Sequence, residues 1–249
     1  MRSFAAASLT LAVLLGLLSS SRAGDEATAI LEKAKKAHSP KDTNDKRPAY
    51  TGKNKGKIFI MGLELEFNQQ VWMEPPGKFK EAMEMSVMGQ AVKVTTVYNG
   101  KQGWIKANDT EIKVEDDLLK EFEETAHSMA LGQFTGLKDK NLKFSVIGEA
   151  QVNGKPAIGV KISKEGRKDI SFYFDKQTGL MAKMERRAVD FQTKQEVTEE
   201  RIVTGYQVIA GRQMPKTVIV NRDGQKLIEA EVIEGQFVDK FGDAEFAQP

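Results

Sequence analysis

The chain contains no cysteine. No disulfide framework or thiolate metal site can hold it together, so its stability must come from a hydrophobic core of adequate size. Histidine is nearly absent: His38 and His127 are the only two in 249 residues. They lie far apart, without a His-x-x-x-His spacing, which argues against a metal centre. There is no Gly-x-Ser-x-Gly turn, no phosphate-cradling Gly-rich loop and no dinucleotide fingerprint. Neither a nucleophile nor an acid/base constellation marks an enzyme, and no cofactor is implied. An excess of one charge is also missing, with 37 Lys+Arg against 35 Asp+Glu. Without a strong positive field, or an Arg cluster with interleaved aromatics, nucleic acid is not an expected partner.

One long apolar run is present, Phe4 to Leu18, and it falls short of the roughly 20 residues a spanning helix needs. Arg2 precedes it, and a serine cluster with Ser21-Arg22-Ala23 follows it. This is the pattern of a secretory signal peptide cleaved after Ala23. Removal of Arg2 and Arg22 brings the basic residues level with the 35 acidic ones. The expectation is a signal peptide over 1–23 and a single domain over 24–249, exported, monomeric, and soluble or only peripherally attached. A mature N-terminus without cysteine cannot be lipid-modified as a bacterial lipoprotein's is.

Two segments have helical periodicity. Asp25 to His38 carries acidic residues in its first turn, Lys33, Lys35, Lys36 and His38 towards its end, and a stripe of Ala27, Ile30, Leu31 and Ala34. Glu115 to Phe134 places Leu118, Leu119, Phe122, Ala126, Met129 and Ala130 at helical spacing. Its opening Glu115, Asp116 and Asp117 form a helix N-terminal acidic cluster rather than a cation site. Between the helices, Ser39 to Lys57 is rich in Lys, Asn, Asp, Pro and Gly and has no apolar period, which predicts a solvated loop.

From Lys57 onward alternation dominates. IFIMGLELEF puts Phe59, Met61, Leu63, Leu65 and Phe67 on one face. Phe79, Met83, Met85 and Val87 alternate with Lys78, Lys80, Glu84 and Ser86. An Asn99-Gly100 turn leads to Trp104. After the second helix at least seven further strands follow, punctuated by Asn153-Gly154, Glu165-Gly166 and Asp223-Gly224 turns. Nearest-neighbour hairpins in one sheet result, and a sheet of this many strands must curl, split or wrap. The fold class is mainly β with covering helices (α+β).

The methionine-rich apolar face between Val71 and Trp104 has two readings: a sheet packed on an ordinary core, or the wall of an apolar cavity. Unbranched, polarizable Met re-packs around irregular guests more readily than Val or Ile. Trp72 and Trp104 read as core anchors or as residues of a cavity mouth. Arg186 and Arg187 read as an anion or headgroup contact at a rim, or as an exposed strand face.

The segments VWMEPPGKF (Val71 to Phe79), YNGKQGW (Tyr98 to Trp104), FDKQTGLMAKME (Phe174 to Glu185), GYQVIAGRQMPKTV (Gly205 to Val218) and the terminal DAEFAQP stand in an order that resembles the outer-membrane lipoprotein carrier family (LolA-like). The resemblance covers nearly all of the chain after the signal peptide. It implies a curved antiparallel sheet forming an incomplete β-barrel with an α-helical lid, in the periplasm, holding acyl chains on an apolar concave side. The implied partners are an acylated lipoprotein or lipid and envelope membrane proteins. An alternative on the same fold is a non-transporting envelope sensor or interaction module. The family's carriers latch the lid with an Arg before the proline of the X-P-x-x-F element; here Pro75 occupies that position, preceded by Glu74. The expected cavity residues are Phe59, Met61, Leu63 and Leu65, then Phe79, Met83, Met85 and Val87, with Ile170, Phe172 and Phe174 opposite and Leu119, Phe122 and Met129 from the lid.

Overall fold

The computed structural model describes residues 11–40, 48–190 and 193–249, with side chains from Gly24 onward. The expected Arg2 and the start of the apolar run, the middle of the Ser39 to Lys57 segment, and Phe191 lie outside the described residues. Helix α1 spans Leu11–His38 and runs unbroken past Ala23; α2 spans Asp116–Gly132. Among the described residues no helix is long and apolar enough to cross a membrane.

Six strands precede α2: β1 (Ala49–Ile60), β2 (Leu63–Glu74), β3 (Lys78–Val87), β4 (Gln90–Tyr98), β5 (Gly103–Ala107) and β6 (Thr110–Ile112). Seven follow it: β7 (Leu142–Val152), β8 (Lys155–Lys164), β9 (Ile170–Asp175), β10 (Met181–Val189), β11 (Glu196–Ile209), β12 (Arg212–Arg222) and β13 (Gln225–Val238). A short 3-10 turn, Asp243–Phe246, closes the chain.

All strands join one antiparallel sheet of 13 strands in the order β6-β5-β4-β3-β2-β1-β13-β12-β11-β10-β9-β8-β7. Every neighbour but one is a sequence neighbour, as the short turns require. The exception is β1 against β13, the first strand against the last. Each half of the chain is therefore a meander, and the meanders meet at the middle of the sheet while β6 and β7 form its outer edges. The segment between β6 and β7 has to travel from one edge to the other, and α2 makes that crossing. The sheet stays open, an incomplete barrel with two helices as its lid.

α2 binds both halves. Phe122 meets Phe79 and Tyr98 with ring centroids 5.7 and 6.2 Å away, and Leu118 and Ala126 complete this cluster. At its other end, Leu131 and Phe134 join Ala27, Leu31 and Ala34 of α1 over Phe172, Phe174, Ile162 and Met184. The buried stripe of α1 is the one read from its spacing. α1 is fixed further at its C-terminus: His38 Nε2 accepts from Met181 N at 3.3 Å, and the Tyr206 hydroxyl donates to Met181 O at 2.6 Å.

Two sequence expectations change. The run IFIMGLELEF is two strands and a turn: Ile60 pairs with Leu63 across Met61-Gly62, where both residues adopt positive φ. A non-glycine first position disguises the turn, because Asn or Gly normally fills it. Phe59 therefore lies on the face opposite Leu65, opposite Glu64 in register and with Lys226 Nζ 5.6 Å from its ring centroid. Met61 sits in the turn with 87% of its surface exposed. The second change is that Ala49–Lys57, expected as loop, is the first half of β1. Its Gly, Lys and Asn residues have little strand propensity, yet its backbone pairs on both sides. The glycines have a steric purpose there: the Tyr50 ring covers Gly52 and Gly235, and β13 backbone presses on Gly56.

Gly103 admits the Phe122 ring in the same way; a Cβ there would overlap it. Replacing Gly103 with Ala should cost about 1–3 kcal/mol through overpacking, measured as a lowered denaturant midpoint. Phe122→Leu in the same background should restore part of the loss, whereas an unchanged midpoint in the single variant would show that α2 is not seated on β5.

Candidate ligand-binding face

The face beneath α2 is the inner one, and register propagates it through the sheet. Phe79 pairs with Met73 and Tyr98, Met83 with Gln69 and Val94, and Met85 with Phe67 and Val92. Leu65 follows Phe67 on the same face and pairs with Ile58, which pairs with Ile228, which pairs with Val220. Leu63, Leu65, Phe79, Met83, Met85 and Val87 thus share the inner face. Phe79 is sealed under Phe122, with Leu119 and Met129 half-buried around it. Leu65, Met83, Met85, Val87, Ile58 and Ile228 are all half-buried, and neither core cluster includes them. Leu63 is exposed at the mouth.

Ile170, Phe172 and Phe174 are also on the inner face, but α1 and the end of α2 pack directly upon them, and each is at most 2% exposed. The inner surface accordingly has two regions. Strands β7 to β10 carry a filled core, and the outer ends of β1 to β4 with β12 and β13 carry an apolar trough beyond the helices. Trp72 and Trp104 belong to neither. They lie on the outer face in register with Lys80 and Val97; Lys80 Nζ stands 4.6 Å from the Trp72 ring centroid and 2.6 Å from Glu245 of the C-terminal turn. The Glu74 carboxylate, next to the position of the family's latch, holds this tail by accepting from Phe241 N at 2.9 Å.

A charged belt crosses the interior between the trough and the filled core. Arg186 on β10 reaches Glu121 of α2 at 2.7 Å and Glu199 of β11 at 3.3 Å. Arg201 and Arg222 each meet Glu199 at 3.2 Å, and Arg222 extends to Asp190 at 2.8 Å. Glu121 accepts a further bond from Val189 N at 3.0 Å. This is the latch that ties α2 to the second half of the sheet. Glu124, bonded to Arg167 and to Lys168 N, adds to it. Arg186 is thus a buried lid anchor rather than a rim residue, while Arg187 is exposed and bonds Glu196 and Thr198. The half of the sheet that faces the belt contributes Glu81 of β3, which accepts from Gln69, itself bonded to Asn54.

Burial disfavours the charge on Glu199, but Arg201, Arg186 and Arg222 together overturn that cost and hold its carboxyl at about 2. Glu81 goes the other way: burial pushes it above the usual carboxylate range despite the pull of Arg201. The belt carries a clear signature in the sequence. Glu81, Arg186, Glu199 and Arg201 occupy the apolar phase of their strands, in step with Met83, Met184, Val197 and Val203. A charge out of phase in an alternating strand is a buried charge.

No family model matches the chain, and no curated protein sequence matches it. Its fold is similar to that of many solved structures, among them the following three. A LolA superfamily protein from Nitrosomonas europaea superposes with a TM-score of 0.56 at 11% identity, over 89% of this chain and 97% of that one. A DUF1329 family protein from Desulfovibrio piger gives 0.57 at 12% identity, over 90% and 97%. A domain from Vibrio parahaemolyticus named for outer membrane lipoprotein sorting gives 0.53 at 9% identity, over 90% and 97%. At these identities the likeness is one of fold, and the fold is LolA-like.

Because its folded pKa is depressed from 4.5 to about 2, Glu199 contributes stability that is complete above the unfolded value and is lost as pH falls through the folded one. A shift of that size corresponds to about 3 kcal/mol. Glu199→Gln should be destabilised by that order at pH 7, and the gap from the parent should close towards pH 2 in acid titrations of the denaturant midpoint. Cutting the latch instead, by Arg186→Met alone, should cost about 3–5 kcal/mol because Glu121 is left buried and uncompensated. Adding Glu121→Leu should recover much of it; strict additivity of the two losses would show that the pair is not coupled.

Proposed function

We propose that this protein is an exported, periplasmic binding protein that holds acyl chains of lipids or lipoproteins on its inner sheet face and carries them between membranes without altering them chemically. The observation that carries the reading is the trough of Ile58, Leu65, Met83, Met85, Val87 and Ile228. It is contiguous, lies on the concave side, and is only half-covered by the chain itself. Burying an acyl chain there gains about 0.8 kcal/mol per CH₂, and two methionines give the wall the adaptability an irregular guest needs. α2, spanning the two halves, is the element whose displacement would lengthen the trough by uncovering Phe79 and Tyr98.

A second reading, an envelope sensor or interaction module, is favoured by one observation: the β7 to β10 half of the inner face is already filled by Phe172, Phe174 and their neighbours. The two readings part on whether lipid is bound at all.

Native purification from the envelope fraction, organic extraction and mass spectrometry should identify co-purifying lipid or acylated peptide in near-stoichiometric amount. Met85→Asp and Leu65→Asp should each lose it, and should weaken uptake of N-phenyl-1-naphthylamine by about tenfold or more. Phe59→Asp, on the outer face, should leave both unchanged. A lipid-free protein that takes up neither dye nor acylated peptide would leave the interaction module.

A further inference from the structure

The belt is not an inert structural salt-bridge cluster, because one of its members is turned into open space. Arg201 lies on the inner face between Val220 and Met184, which are 7% and 6% exposed. Its side chain nevertheless remains 38% accessible. A group walled by buried neighbours and still accessible faces a hollow interior. Its Nε donates to Glu199 at 3.2 Å; among the described residues its two terminal nitrogens donate to nothing. Glu81 and Glu121 act on this guanidinium through space, but neither makes an ion-pair contact with it.

The surrounding belt is short of acceptors. Arg186 Nε and Arg222 Nε are buried without a hydrogen-bond partner among the described residues. A carboxylate facing it from the other half of the sheet, Glu81, is flanked along its strand by Phe79 and Met83, and burial there raises its pKa despite the pull of Arg201. A planar guanidinium with two free donors, set opposite a carboxyl group and reached along an apolar trough, has the chemistry to take a flat or tetrahedral oxyanion.

We propose that Arg201 binds the oxyanion head of an amphiphile whose hydrocarbon chain lies in the trough from Ile228 towards Leu65 and Met85. This rests on the reading of the trough as an acyl site and adds to it the ligand class, an anionic single-headed lipid such as a fatty acid or an alkyl phosphate. The chain alone would be held without regard to its head; Arg201 supplies the selection.

The test compares three ligands with one and the same chain, oleate, oleyl phosphate and oleyl alcohol, binding to the delipidated protein by calorimetry. Oleate or oleyl phosphate should bind about tenfold tighter or more than the alcohol, the range expected of a charge-assisted hydrogen-bonded pair. Whichever is tighter identifies a carboxylate or a phosphate source. Arg201→Gln should abolish that preference, so that the three ligands bind alike, and Arg187→Gln, an exposed arginine on the same sheet, should preserve it. Should Arg201→Gln not fold, Glu81→Gln decides, since removing a carboxylate that competes for Arg201 should tighten the anions relative to the alcohol. Equal affinity for all three ligands, or a preference that survives Arg201→Gln or is indifferent to Glu81→Gln, overturns the proposal and leaves the acyl site standing. Failure of all three to bind overturns the acyl site itself.

Discussion

The pairing of β1 with β13 is the contact on which everything else in this molecule depends. All other strand pairs are hairpins whose turns bring them together at little entropic cost. This one joins nearly the two ends of the described chain, and only when it forms do the meanders become one curved sheet with an inside. The glycine content of β1 follows from this. Tyr50 lies over Gly52 and Gly235, one on each strand, so the first and last strands are stitched by an aromatic ring that a Cβ on either side would displace. A non-local pairing of this kind is intrinsically slow to form, and the weak strand propensity of Lys53 to Lys57 leaves the order of events to be set by the hairpins on either side.

Once the sheet is single, α2 has no freedom of route. Its origin at one sheet edge and its destination at the other oblige it to cross the concave side, and the helix is amphipathic in the required sense. One stripe, Leu118, Phe122 and Ala126, meets the apolar rings of β3 and β4. Glu121 and Glu124, buried on a neighbouring stripe, meet Arg186 and the β8 to β9 turn. The helix is held by packing to one half and by charge to the other. Such a lid has two attachments of different physical kind, and a ligand that competes with the packing leaves the ionic hinge intact.

Much of the architecture was legible in the chain, and the exceptions have physical causes. Both helices, the buried stripe of α1, the Asn-Gly, Glu-Gly and Asp-Gly turns and the seven strands after α2 follow from periodicity and turn chemistry. The Met61-Gly62 turn has the consequence that alternation always has: a hairpin taken for a strand puts Phe59 and Met61 on the face of Leu65, although a turn resets the phase. Ala49 to Lys57 escaped because its strand character is imposed by partners far away in sequence. The site residues divided in a similar way. Periodicity identified which residues of β3 share a face, but only the tertiary structure separates Phe172 and Phe174, sealed under α1, from Met85 and Val87, left half-open.

The charged residues that break the apolar phase explain how a largely apolar inner face can stay open. An interior lined only by Leu, Ile and Met would close on itself, since contact between its own walls gains as much per unit area as contact with a guest. Arg186, Arg201 and Arg222 against Glu199, Glu121 and Glu81 cannot be collapsed in this way. Arg201, whose side chain stays 38% accessible, would lose its hydration without a further partner, at a cost of several kcal/mol. The belt therefore sets a polar floor to the apolar inner face. It also limits affinity. A chain long enough to pass the belt must desolvate it, so the gain of about 0.8 kcal/mol per CH₂ applies only up to the depth of Arg201. If the trough takes an acyl chain as proposed, its charged floor bounds the length and the binding free energy of that chain, and a ligand held within bounds can be released.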